Sequence, residues 1–211
     1  MEALKAYPES GFAYTDWCEV FEGGGDCSYP KGWAFGYGAE QPGLFRGQPV
    51  IRKITPPLNA VTVRHIVSSP NHVRAWRRDF YHQIGGHNRL LHVADDYELC
   101  VRSFLHTRPV HVRAMGYKQY MSPQGKNTQR VRNAQIQQLT DQIWRANDRA
   151  IHDRLVALGL PDPLWNEQAL HGDFARLQGH ERIAESANHV FDPPSIVQPC
   201  ASGAPGAAST P

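Results

Sequence analysis

Residues 71–99 read NHVRAWRRDFYHQIGGHNRLLHVADDYEL, and the other elements of the chain are predicted outward from this segment. Its first part places apolar residues at intervals of three and four, which predicts a short helix over 73–84 with one buried face. The residues on that face are Val73, Trp76, Phe80 and Ile84. Gly85 follows as the left-handed residue that commonly ends a helix, so the first helix is expected to stop there.

Two further helices are predicted from apolar periodicity. One begins at Asp95 or Asp96 and buries a stripe made of Tyr97, Cys100, Val101, Phe104 and Leu105. The other is long and covers 129–158, with a stripe made of Ile136, Leu139, Ile143, Ala146 and Ala150. Beyond it we expect a weakly structured extension over 166–191. Small residues and proline fill 192–211, where too little apolar surface is available to offset the entropy of ordering, so we expect a disordered tail.

Strands are predicted on both sides of residues 71–99. Apolar residues on both faces of 12–21 predict a strand that is covered on two sides and ends at the glycines of 23–25. Residues 30–49 are rich in glycine and aromatics and are expected to form a loop. The β-branched run 61–67 predicts a second strand, and 110–115 a third. Strands separated by helices indicate an α/β layer fold.

Composition and charge exclude several classes of protein. The chain has 211 residues, and 22 Lys and Arg against 20 Asp and Glu leave a net charge of only +2. This balance lacks the basic field of a nucleic-acid-binding protein, so we expect no nucleic acid partner. No apolar run approaches the roughly 20 residues that span a bilayer, and the N-terminus shows no secretory signal. With four cysteines, too few for a disulfide scaffold, we expect a soluble cytoplasmic protein without a transmembrane segment.

Two adjacent carboxylates, Asp95 and Asp96, stand where a glycine turn delivers the chain into the second helix. Free backbone N–H groups and the helix dipole favour negative charge at that end, so at least one of the two stays ionised. An ionised carboxylate at such a junction can take the proton of a substrate hydroxyl, as a general base does. The local pattern alone also allows a simpler interpretation, in which Asp95 caps the helix and Asp96 is solvated.

Three motifs in order resemble the acceptor half of family 2 glycosyltransferases: residues 71–81, the Gly-Gly turn at 84–87 and the acidic pair within 94–99. The similarity extends from about Gly11 to the long helix. It implies an α/β domain over 11–165 with a partial GT-A fold, a mixed sheet flanked by helices, followed by the long C-terminal helix and the disordered tail. It also implies a nucleotide-diphospho-sugar donor, a glycan or other hydroxyl acceptor, and Mg²⁺ or Mn²⁺ as cofactor.

By position, the resemblance assigns the catalytic base to Asp96, the second acid of the pair. In a single displacement with inversion, Asp96 would deprotonate the acceptor hydroxyl, which attacks the anomeric carbon as the nucleoside diphosphate departs. The resemblance also implies binding residues. On the acceptor side these are Gly85, Gly86, Asp95 and Trp76, and on the donor side they are Arg74 and Lys126. Packing of Trp76 on a helix face and solvation of Lys126 are the structural alternatives.

One departure from the family concerns the donor side. In the family, the nucleotide-binding half ends in an Asp-x-Asp motif that holds the metal, and neither this motif nor its metal ligands are found in the chain. We therefore expect a transferase that is incomplete or inactive as an isolated chain, and that another polypeptide or a second copy completes. Two alternatives stay open: a non-catalytic binding remnant of such an enzyme, and a metallohydrolase that uses His82, His87 and His92 beside the acidic pair.

Overall fold

The computed structural model describes residues 2–122 and 127–165. The expectations for 166–191, for 192–211 and for Lys126 lie outside these residues. The strands are β1 (Phe12–Phe21), β2 (Ala39–Phe45), β3 (Gln48–Ile54), β4 (Arg74–Trp76) and β5 (Val110–Met121). The α-helices are α1 (Glu2–Ala6), α2 (Arg78–Gln83), α3 (Asp95–His106), α4 (Thr128–Val131) and α5 (Asn133–Ala157). The predicted mixed α/β class is confirmed.

A mixed sheet is organised around β1, which has neighbours on both edges. β5 pairs with β1 in parallel over most of its length. On the other edge, β4 pairs antiparallel with the first residues of β1, and β3 pairs antiparallel near Trp17 and Cys18. β2 lies outside β3, also antiparallel. The central place of β1 explains why apolar residues cover both of its faces, as its sequence predicts.

The main core lies between the sheet and the helices α3 and α5. Its largest fully buried side chains include Phe12 and Tyr14 from β1, Tyr97 and Phe104 from α3, and Trp144 and Ile151 from α5. The predicted stripe of α3 is confirmed for Tyr97, Cys100, Val101 and Phe104, while Leu105 is only partly buried. Packing against α5 fixes the position of α3, and with it the position of the acidic pair at its N-terminus.

The helix predicted over 73–84 is only half correct. Its first part is the short strand β4, whose residues pair with Phe12, Ala13 and Tyr14, and only the second part is the helix α2. Apolar spacing could not separate the two, because a buried residue in a short strand fits either period. Gly85 ends α2 with φ +85, as predicted.

The strand predicted over 61–67 is wrong. The structure has two single 3₁₀ turns there, Thr62–Arg64 and Ile66–Ser68. The side chain of Asn59 explains the turns, because its Oδ1 accepts hydrogen bonds from the backbone N–H of Val61 at 2.9 Å and of Thr62 at 3.0 Å. Such local side-chain bonds compete with the ladder of a sheet and outweigh the β-branched composition.

The loop predicted over 30–49 is also wrong in part, because its second half and the residues after it form the β2–β3 hairpin. The turn consists of Arg46 and Gly47, with φ of +51 and +79, and Phe45 pairs with Gln48 across it. Two successive positive φ values give a turn whose twist matches that of the strands. Gly47 is the only glycine signal for this turn, and a positive φ at an arginine is not predictable from composition.

The long helix is confirmed, but its predicted stripe is partly wrong. The chain breaks at Arg132 between α4 and α5, and Gly159 follows the end of α5 with φ +69. Ala146 and Ala150 are exposed. The buried residues of α5 are Ile136, Thr140, Ile143, Trp144, Asp148, Ile151 and Leu155. None of the helices in the described part of the chain combines the length and apolarity needed to cross a bilayer.

Candidate functional site

A cleft of about 490 Å³ opens where the β1–β5 pair meets the N-terminus of α3. Its floor, the name used here for Trp17, Glu19, Tyr117 and Gln119, comes from these two strands. Residues two apart on a strand point to the same face, and the register places Trp17 beside Tyr117 and Glu19 beside Gln119. The parallel pairing therefore brings together side chains that are a hundred residues apart in sequence.

The sides of the cleft come from three segments. One is the segment before and within β4, with Ile66, Val67, Ser69, Pro70, Asn71, His72 and Arg74. The second leads into α3, with His92, Val93, Ala94, Asp95 and Asp96. The third is on α4 and α5, with Thr128, Gln129, Asn133, Ile136 and Gln137. Gln119 on the floor joins two of these sides, since it accepts from Asn71 at 3.1 Å and donates to Gln129 at 3.0 Å.

Asp96 is held at the edge of the cleft by two hydrogen bonds. Its Oδ1 accepts from the backbone N–H of Tyr97 at 2.7 Å, and its Oδ2 accepts from Nη2 of Arg74 at 2.9 Å. Burial alone would raise the pKa of Asp96, but the Arg74 charge and these hydrogen bonds outweigh it and lower the pKa below the ordinary 3.8. The side chain is 45% exposed, so an ionised carboxylate faces the cleft.

The Arg74 guanidinium is almost completely buried, with a side-chain exposure of 5%. β4 places it under the first turn of α3, where its charge lies against Asp96. The contact that the structure shows for Arg74 is with Asp96, and this cation orients the carboxylate; its expected donor-side role stays a prediction. His72 lines the cleft beside it, and burial together with the Arg74 charge lowers the pKa of His72, so this ring is neutral at pH 7.

Asp95 also lines the cleft, with its side chain 38% exposed and its Oδ2 3.9 Å from Nε2 of His87. The alternative in which Asp95 caps the helix is wrong. The capping position belongs to Ala94, in the left-handed conformation with φ 59, and no side chain caps the helix there. Both acids of the pair are thus inside the helix and are available to the cleft.

The other expected acceptor residues lie away from the cleft. The Trp76 ring stacks on Phe12 at 4.7 Å between centroids, and its Nε1 donates to Oγ of Ser103 at 2.8 Å. Gly85 and Gly86 form the turn after α2, with φ of +85 and +64. In the structure Trp76 packs in the core, and Gly85 and Gly86 form a turn. The expected site residues that lie together at the cleft are Arg74, Asp95 and Asp96.

For the divalent metal that the resemblance implies, the described residues bring no ligand group together. Within residues 2–122 and 127–165, no group of three or more His, Cys, Asp and Glu side chains could hold a metal ion. His87 is engaged by the Tyr81 hydroxyl, 2.8 Å from its Nδ1, whereas His92 lines the cleft, so the expected histidine series is not brought together.

Sequence reasoning missed the floor of the cleft, and above all Glu19. This residue is 2% exposed, and its Oε1 accepts a hydrogen bond from the Tyr29 hydroxyl at 2.8 Å. The sequence does contain a signal for Glu19. Burying a glutamate in a strand that is covered on both faces costs folding free energy, so such a residue is usually paired or functional. What the sequence did not supply was the strand that pairs with it.

No family model matches the chain, and no curated protein and no solved structure is significantly similar to it. Its function is therefore argued from the geometry of the cleft and from the motifs of residues 71–99.

Proposed function

We propose that the chain forms the acceptor side of a sugar-transfer site of the family 2 glycosyltransferase type. The reaction is transfer of a sugar from a nucleotide-diphospho-sugar to an acceptor hydroxyl, with inversion. The observation that carries this proposal is the position of Asp96: an ionised, half-exposed carboxylate at the start of α3, held by Arg74 and facing a cleft of about 490 Å³. The order of motifs around it supports the same function.

In this proposal Asp96 accepts the proton of the acceptor hydroxyl. The electron pair of the deprotonated hydroxyl oxygen forms the new bond to the anomeric carbon. The bond from that carbon to the diphosphate oxygen breaks, and its electron pair leaves with the nucleoside diphosphate. Arg74 acts through Asp96 as a positioning residue, because it holds Oδ2 at 2.9 Å and leaves the carboxylate facing the cleft. The same cation lowers the basicity of Asp96, so proton transfer accompanies attack rather than preceding it.

On the donor side, positive charge is needed to stabilise the leaving diphosphate. Such electrostatic stabilisation usually makes a large contribution to lowering the activation free energy. Of the described residues that line the cleft, Arg74 is the only lysine or arginine, and Asp96 already engages it. We therefore propose that another polypeptide or a second copy supplies the donor side. Little transfer is expected from the chain alone.

The test uses the isolated chain and two readouts. The first is an NMR titration with methyl glycosides of glucose, galactose and mannose, in which we expect at least one to bind with a dissociation constant of millimolar order and to shift signals of Asn71 and His72. Asp96→Asn should weaken that binding, while Asp153→Asn on the exposed face of α5 should not. Absence of any shift at the cleft would contradict the acceptor-site proposal.

The second readout is release of nucleoside diphosphate from a mixture of nucleotide sugars with Mn²⁺ and the same glycosides. Robust turnover by the isolated chain that Asp96→Asn abolishes would support the catalytic role and contradict the expected incompleteness. A non-catalytic binding module is the second candidate, favoured by the shortage of cations in the described cleft. Binding without turnover, even after a nucleotide-binding partner chain is added, would favour that candidate.

A further inference from the structure

The floor of the cleft contains two buried polar atoms that lack a hydrogen-bond partner among the described residues. They are Oε2 of Glu19 and Nε1 of Trp17. Both residues line the cleft, and both come from the same face of β1. Leaving a buried donor or acceptor unmatched costs free energy, so such groups in a native structure call for an explanation. Here they lie at the base of the site where the acceptor is proposed to bind.

Two uncharged groups, the Tyr29 hydroxyl and the Cys27 thiol, face the Glu19 side chain. The Tyr29 hydroxyl donates to Oε1, and burial together with the Glu19 charge raises the pKa of Tyr29, so the tyrosine stays a neutral donor. The Cys27 thiol also faces Glu19, and burial, the Glu19 charge and a hydrogen bond to the Glu19 side chain raise the pKa of Cys27. A buried cation in this part of the fold, Lys53, lies over the Tyr29 ring and pairs with Glu40.

The described residues that line the cleft carry an excess of negative charge. Glu19, Asp95 and Asp96 supply three carboxylates, and Arg74 supplies one guanidinium, which leaves two negative charges when the histidines are counted as neutral. Of the three acids, Glu19 is the most deeply buried. A charge in a poorly solvated site acts more strongly on a ligand than one at the surface, so an anionic ligand group at the floor would meet the Glu19 carboxylate with little screening.

The floor also offers aromatic surface, chiefly from Tyr117, since Trp17 is 3% exposed and packs against Trp33. Trp17 and Tyr117 lie side by side in the β1–β5 register, and the edge of the His72 ring meets Tyr117 at 5.1 Å between centroids. Aromatic faces pack against the C–H faces of a ring, and a floor that contains both an unmatched acceptor and an unmatched N–H suits hydroxyl groups, which both donate and accept. A carboxylate or phosphate offers no donor to Glu19 and adds repulsion.

We propose that Glu19 selects the acceptor by charge: the ring that occupies the floor is an uncharged sugar, and acidic sugars are rejected. This inference rests on the proposed function, since it names the substrate class of the same cleft. Trp17 and Tyr117 supply the surface on which the ring lies, and Glu19 accepts from its hydroxyls. Asp95, which is more exposed, contributes to the same rejection to a smaller extent.

The experiment compares two probes that differ only at C6, methyl β-glucoside and methyl β-glucuronide, by NMR titration of the isolated chain. We expect the glucoside to bind about tenfold more tightly than the glucuronide, since like charges brought together at a binding site are strongly unfavourable. Glu19→Gln keeps the size of the side chain and should bring the ratio to about threefold or less, chiefly through a gain in glucuronide affinity. Glu22→Gln, three residues along the chain at an exposed position, is the matched control and should leave the ratio unchanged.

Each outcome decides the matter. The inference is overturned if the unaltered protein binds the two probes equally well, or if folded Glu19→Gln keeps the same ratio of glucoside to glucuronide affinity. Neither result contradicts the proposed acceptor site. If Glu19→Gln does not fold, Asp95→Asn at the exposed acid must narrow the ratio in part, and failure to do so also overturns it. If neither probe binds at the cleft and the other methyl glycosides also fail, it is the proposed function itself that fails.

Discussion

Nη2 of Arg74 lies 2.9 Å from Oδ2 of Asp96, and the two ends of this ion pair differ sharply in exposure: 5% for the arginine and 45% for the aspartate. A buried cation thus holds an accessible carboxylate. The arrangement keeps Asp96 ionised and fixes its direction, and it depends on β4 lying beside β1 and under α3.

The first prediction concerns this pair. Arg74→Met keeps an unbranched, largely apolar stem but removes the guanidinium and its charge, so the pKa of Asp96 should rise. The measurement is a ¹³C NMR titration of the carboxyl carbons, followed from pH 7 downward. Arg149→Met, which removes a cation from the exposed pair with Asp153, should leave the Asp96 titration unchanged. An unaltered Asp96 titration in folded Arg74→Met would show that the ion pair does not set the charge of the site.

The second prediction concerns Arg64, whose guanidinium is 1% exposed and bonds Asp148 at 2.7 Å and Asp162 at 2.8 Å. Arg64→Met leaves two buried carboxylates without this cation, which should cost about 3–5 kcal/mol of unfolding free energy. Urea unfolding followed by tryptophan fluorescence measures the loss.

The matched control for Arg64 is again Arg149→Met, where the ion pair is exposed and should be worth about 0.5 kcal/mol or less. A similar small loss in both variants would mean that the Arg64 cluster does not tie the turn at 62–64 to α5.

The third prediction concerns Gly11, where β1 begins. A Cβ at this position would lie 2.2 Å from Cγ of Phe80, so Gly11→Ala should force the ring or the strand to shift. Overpacking of this kind costs about 1–3 kcal/mol. Gly23→Ala is the control, because nothing lies within 4 Å of its Cβ position. Thermal unfolding of both variants tests this, and equal melting temperatures would contradict the close contact.

The fourth prediction concerns acid stability. Burial would raise the pKa of Asp16, but His111, Thr55 and Arg52 together lower it below 3.8. The unfolded chain therefore binds the proton first, and this contribution to stability is present above pH 3.8 and is lost as the pH falls through the lower, folded pKa.

Urea unfolding between pH 6 and 2.5 should show this loss for the unaltered protein, and Asp16→Asn should reduce its pH dependence. The pKa of Asp96 is also lowered in the folded protein, so Asp96→Asn should remove a second part of the pH dependence of the unfolding free energy. A slope unaffected by either change would contradict the lowered pKa values.

Some residues of the candidate site are identified by local sequence signals, and others are not. Asp95 and Asp96 could be identified from the sequence because a glycine turn followed by a helix start is a local signal, and the structure places both in the cleft. Glu19 and Trp17 could not, because their role depends on the pairing of β1 with β5. The family resemblance implies an acceptor-side role for Trp76, whereas its contacts with Phe12 and Ser103 favour the alternative of packing.

By itself the sequence determined β1, α3 and the long helix, because their apolar patterns are repeated over enough residues to define one period. It also determined the glycine stop at Gly85 and the carboxylates at the start of α3. Only the tertiary structure decided that 74–76 is a strand, that 61–67 is a pair of turns, and that Glu19 faces a cleft. The reason is that short segments take the hydrogen-bond partners that distant parts of the chain offer, and these partners outweigh local propensity.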